Sequence, residues 1–162
     1  MSPNSKVKIG KFLSPELVLI DNACTARDEV LKAMVGTLST RGLLAHPEKL
    51  LQDLLEREKS SFVTIGPSTA MPHARCQGLP APLIVVLLSK TGLLYRENCP
   101  EMVHLVVLIL TPQEKPTLHL KMLAAAASLL RKTEELFPTL LQADDAVSIM
   151  KIMGRIEEGD NG

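Results

Sequence analysis

The sequence predicts an α/β domain in which a small sheet carries helices on both faces. Apolar residues recur at helical spacing toward both ends of the chain, and two uninterrupted apolar runs occupy its middle. The segments follow one another as helices, short strands, core strands and helices, an order that layers helices over a sheet. The 162 residues, 46% of them apolar, suit one domain with a core of about 12–157 and loose ends at 1–10 and 159–162. A chain of this size buries roughly 70% of the surface that its unfolded form exposes, so neither metal nor disulfide is needed for stability.

The first helix is expected over 25–38, where Leu31, Met34, Val35 and Leu38 share a face and Thr25 with Asp28 resembles a capping box. The second starts at Pro47, a favoured first helical residue, and runs to about Glu58 with Leu50, Leu51, Leu54 and Leu55 inward. His46 reads as the residue just before that helix. Phe62-Val63-Thr64-Ile65 is short and β-branched, and Gly66-Pro67-Ser68 ends it. A Gly/Pro loop is expected after His73. The runs 83–88 and 103–110 are apolar throughout, as in central strands covered on both faces. A long helix is expected from about 117 to 132 through Leu120, Leu123, Ala124, Ala127 and Leu130, and a short helical piece over 133–141. The last helix, about 144–157, should turn Val147, Ile149, Met150, Met153 and Ile156 inward.

Charge and composition narrow the function. Lys and Arg number 18 against 18 Asp and Glu, without the basic excess of a nucleic-acid binder or of a protein that adsorbs to anionic lipid. Three Phe, one Tyr and no Trp leave no platform for stacking bases. Cys24, Cys76 and Cys99 stand far apart with no C-x-x-C, which fits a reducing compartment. The start carries no apolar signal segment, and the longest apolar runs fall far short of the roughly 20 residues of a membrane span. A cytoplasmic protein without membrane insertion is expected.

Four histidines are present: His46, His73, His104 and His119. His73 sits in Ala70-Met71-Pro72-His73-Ala74-Arg75, where Pro72 fixes its own backbone and restricts its neighbour. Such a context holds a side chain in place near a strand end. Arg57 lies in Glu56-Arg57-Glu58-Lys59, which by itself also reads as a solvated helix end. His119 falls in the first turn of its helix, and His104 begins an apolar strand as a packing residue or a polar tip at its start, with lining of the site as the alternative. A rival grouping, His73-x-x-Cys76 with Cys99 and His104, supplies zinc-type ligands, but at spacings unlike the common zinc knuckles.

Arg57-Glu58, then Thr64-Ile65-Gly66, then Ala70-Met71-Pro72-His73, followed by Val103-His104-Leu105-Val106 and Leu118-His119-Leu120-Lys121-Met122-Leu123-Ala124, together resemble the IIA domains of the mannitol/fructose class of the sugar phosphotransferase system. That class includes the nitrogen-regulatory IIA proteins. The resemblance runs from about Val18 to Ile156. It implies a single domain with a small mixed sheet, and a phosphocarrier that accepts a phosphoryl group on His73 from phospho-HPr or a paralogue. A cysteine of a IIB domain, or a regulatory protein, would be the partner downstream. No cofactor and no metal are implied.

The chemistry of the residues agrees. A neutral imidazole is a competent nucleophile near pH 7, since its unperturbed pKa is about 6.5. Arg57 offers a planar guanidinium for phosphate oxygens, and a helix N-terminus at His119 favours a dianion. His119 would contact a phosphate oxygen or orient His73. Gly66, Ser68, Thr69 and Arg75 complete the expected binding residues. The family's G-N-G turn is here Gly66-Pro67-Ser68-Thr69. Pro67 removes a backbone donor, and the hydroxyls of Ser68 or Thr69 are the candidates to replace it. This departure motivates an alternative, a regulatory binding module of the same fold that is poorly phosphorylated.

Overall fold

The computed structural model describes residues 6–60, 64–66, 68–97 and 99–159. Its centre is a hairpin of two long strands, β5 (Leu83–Leu93) and β6 (Val103–Pro112), paired antiparallel with Val86 opposite Val107. β1 (Val18–Ile20) lies parallel to β5 on one side. On the other side, β6 carries two short parallel strands end to end, β3 (Thr69–Ala70) and β4 (His73–Cys76). β2 (Thr64–Gly66) then pairs antiparallel with β3, so the sheet is mixed.

Both faces of the hairpin are covered, which is why its sequence shows no alternation. Ile84, Val86, Leu88, Leu105, Val107 and Ile109 face α3 (Pro116–Thr133), α4 (Phe137–Leu141) and α5 (Ala146–Gly159). Val85, Leu87, Leu93, Val106, Leu108 and Leu110 face α1 (Arg27–Thr40) and α2 (Pro47–Ser60). The expected α/β architecture with helices on both faces is therefore observed. Gly92, at φ +93° beside a register shift between β5 and β6, has no room for a side chain: a Cβ there would stand 3.0 Å from that of Met102.

Several expectations are corrected. Ile9, placed among the loose first residues, is 0% exposed. It belongs to a 3-10 turn (Ile9–Phe12) held by α5: Glu157 accepts the amides of Ile9 at 2.6 Å and Gly10 at 2.9 Å. The chain from 160 onward lies outside the described residues, as do Phe62, Val63 and Pro67. α1 is capped at Ala26 without a side-chain bond, and the Thr25 hydroxyl donates to Glu29 at 3.0 Å instead, so no capping box forms with Asp28. Val147 is 47% exposed and Leu120 68%; neither faces the core. The loop with Gly78, Pro80 and Pro82 expected after His73 begins only after Cys76, because β4 extends the pairing of β6 to Pro112.

Glu157→Ala removes the acceptor of two amides, one of them on a buried residue. It should destabilise the fold by about 1–3 kcal/mol, the usual cost of stranding such donors, read as a lower urea midpoint with unchanged slope.

Candidate functional site

The site forms where β3 gives way to β4. Pro72 has no amide to donate, so the strand breaks there, while the Pro72 carbonyl still accepts from Ile109 N at 3.0 Å and keeps the register. At the break His73 turns its side chain back on its own backbone, with Nδ1 3.1 Å from the Met71 carbonyl. A carbonyl only accepts, so Nδ1 carries the proton and the lone pair is on Nε2. His73 is half-buried, and its ring centroid stands 5.6 Å from that of His119, with the planes tilted by 51°.

His119 is the fourth residue of α3, and its own amide is already engaged with Lys115 O at 3.1 Å. No side chain caps the start of α3, so the positive end of its dipole is available beside the two rings. Thr111, the buried penultimate residue of β6, places its hydroxyl 2.6 Å from His119 Nδ1. Strand alternation puts Thr111 on the face of Ile109, which α3 covers. Burial lowers the pKa of His119 below the ordinary 6.5, and the charge interactions with His73, Arg75 and Arg57 lower it further. His119 is thus held neutral near pH 7.

Arg57 comes from the other side of the sheet. It is exposed near the end of α2 and its Nη1 donates to the His73 carbonyl at 3.4 Å. The end of α2 is braced from beneath. Tyr95 donates its hydroxyl to Glu58 Oε1 at 2.6 Å, and Arg27, 5% exposed, reaches the Glu58 carbonyl at 3.4 Å while pairing with Asp28 and Glu97. Arg75, exposed on β4, is the second cation near the histidine pair.

The turn 66–69 behaves differently from expectation. The carbonyls of Gly66, Ser68 and Thr69 are drawn inward: Arg96 donates to Thr69 O at 2.8 Å and Gly66 O at 3.4 Å, and Ser68 O accepts from His104 N and Leu105 N. The Thr69 hydroxyl is buried and has no hydrogen-bond partner among the described residues, so it is not at the surface where a phosphate would sit. The geometry thus brings Arg57, His73, Arg75 and His119 together and leaves Thr69 out. The zinc-type grouping is pulled apart. His73 pairs with Ile109, and His104 lies five residues earlier on β6, roughly 17 Å away along the strand. His104 instead bonds Ser89 O at 2.8 Å and meets Phe137 edge-on.

Sequence reasoning missed Thr111, Arg96, Arg27 and Tyr95, which hold the site from behind. Only the juxtaposition of strands reveals them, since none lies within a motif.

Residues 11–155 match the family model described as "Phosphoenolpyruvate-dependent sugar phosphotransferase system, EIIA 2". The chain belongs to this family. Among curated relatives, the fructose-specific EIIABC component of the phosphotransferase system of Bacillus subtilis is 28% identical over 149 residues. The match covers 92% of this chain and 23% of that protein, so the chain spans less than a quarter of that relative's length. The nitrogen regulatory protein IIA-Ntr of Neisseria meningitidis superposes with a TM-score of 0.77 at 19% identity, covering 90% of this chain and 98% of that one. Enzyme IIA of the Escherichia coli mannitol system, solved in complex with phosphorylated enzyme IIB, superposes at 0.68 with 19% identity, covering 87% of this chain and 96% of that one. These likenesses confirm the mannitol-type IIA fold. Among the described residues, no helix is long and apolar enough to cross a membrane.

Because the folded state resists protonating His119, the unfolded state binds more protons once the pH falls below about 6.5. Stability should therefore decline as pH drops from 6.5 toward 5, and His119→Asn should flatten that decline, measured by thermal unfolding across the pH series.

Proposed function

We propose that this chain is a phosphocarrier that takes a phosphoryl group from phospho-HPr, or a paralogue of it, onto Nε2 of His73. The observation that carries the reading is the 3.1 Å contact of His73 Nδ1 with Met71 O. It keeps the proton on Nδ1 and leaves the Nε2 lone pair as the nucleophile. In the transfer, that lone pair forms the new N–P bond as the donor's N–P bond breaks and its electron pair returns to the donor imidazole. The positive charge left on the His73 ring is stabilised by the Met71 carbonyl.

The other groups suit the charge on the transferring phosphoryl oxygens. Arg57 and Arg75 bring positive charge from the open side. A Thr111 hydroxyl that donates to His119 Nδ1 leaves the His119 proton on Nε2, where it can donate to a phosphoryl oxygen. Leu120, exposed beside His119, gives a docking protein an apolar contact at the rim. The acceptor would be a IIB cysteine or a regulatory protein, in keeping with the complex formed by the mannitol relative. The scheme uses no cofactor or metal, and its setting would be cytoplasmic.

The binding-module alternative draws support from the turn 66–69, where the carbonyls of Gly66, Ser68 and Thr69 face inward and the Thr69 hydroxyl is sealed off. One experiment separates the two. Incubation with phosphoenolpyruvate, enzyme I and HPr should add one phosphoryl group to the intact mass of the wild type and none to that of His73→Ala. A wild type that gains no phosphoryl group with any HPr paralogue is the module. Arg57→Ala should slow the transfer by about 10²-fold, the scale of losing one charge-stabilising donor, with Arg57→Lys recovering part of the loss in the same assay.

A further inference from the structure

A cavity of about 230 Å³ lies beside the histidine pair and is lined by neither His73 nor His119. We propose that it is a binding site for a phosphate monoester of a small polyol. On one side are His46, just before α2, and Lys49, Asp53 and Arg57 of α2, which follow at intervals of three and four and so point the same way. On the other are the end of β4 and the turn beyond it, with Arg75, Cys76 and Gln77. Gly78, at φ +82°, comes close to Ala45 where both line the cavity: a Cβ at that glycine would stand 3.4 Å from the alanine's own.

The lining selects the ligand. Lys49, Arg57 and Arg75 make a cationic wall that suits a phosphate dianion. Asp53, Gln77 and Gln113 supply an acceptor carboxylate and two amides, which read hydroxyl groups rather than more negative charge. Leu44, Leu50 and Leu79 give the carbon skeleton an apolar floor. The volume falls below the roughly 300–1,000 Å³ of sites for drug-sized ligands, so the occupant is compact. Burial and the nearby Asp53 push the Cys76 thiol up to about 11, so this cysteine is a neutral wall group rather than a nucleophile.

Cys76 packs toward the α1/α2 side of the sheet, and His119 sits on the α3 side. Arg57 and Arg75 act electrostatically on His119 and also line the cavity, so the two arginines stand between cavity and histidines. A ligand held here engages the same guanidiniums that would steady a phosphoryl group on His73. This consequence, inhibition of transfer, rests on the carrier reading; the binding itself does not.

The test is an amide chemical-shift titration of the full chain with glucose 6-phosphate, with inorganic phosphate and glucose as separate arms. Saturable shifts confined to residues 43–57, 75–79 and 113 are expected, weakened about tenfold or more in Lys49→Ala and in Asp53→Asn and retained in His73→Ala. Lys49 and Asp53 are exposed, so both variants should fold, and their unshifted spectra check this. Absence of shifts at millimolar ester overturns the proposal. So does inorganic phosphate or glucose binding as tightly as the ester, or binding indifferent to both substitutions. Loss of phosphorylation with ester binding intact would instead remove the carrier reading alone.

Discussion

A single interrupted hydrogen-bond ladder governs the arrangement of the site. β6 offers one continuous edge, and the chain that pairs with it must pass Pro72, which has no amide to give. The strand is divided there, yet its register on β6 is kept through the Pro72 carbonyl. The Met71 carbonyl beside the break accepts from His73 Nδ1, which leaves the ring's lone pair on Nε2. Pro72 thus costs the ladder the one amide that would have faced β6, while its fixed φ sets how the chain enters His73.

The surrounding charges follow from the edge position of β4. The His73 carbonyl faces away from β6 and is met by Arg57 from α2, while the His73 side chain meets α3. Cations thus arrive from one layer and a neutral imidazole from the other. The neutrality of His119 has a physical cause in burial and in the charges around it. Behind these groups, Arg96 ties down the turn before His73, and Tyr95 with Arg27 holds the end of α2.

Much of this was legible in the sequence because it rests on local patterns. The two apolar runs became the central hairpin, the helical spacing marked α1, α2 and α3, and the spacing of Arg57 and His73 survived as a direct contact. What was hidden depends on tertiary pairing. β1 has three residues and no periodicity to show. β4 reads as a loop because its polar residues lie on an edge strand with one side open. Leu120 and Val147 match the helical period yet face outward, since period alone does not tell a core stripe from the margin of an exposed face. Thr69 appeared as a surface hydroxyl because the sequence does not reveal that its strand is sandwiched between β2 and β6.

The carboxylate of Glu157 closing on the first 3-10 turn has a mechanical meaning. It brings residues 148 and 147 positions away in the chain into direct contact, so the entering and leaving backbone emerge at one corner. Tethered within a longer polypeptide, such a body hangs from a single point rather than being strung end to end. It can reorient about that point without transmitting tension through its own sheet.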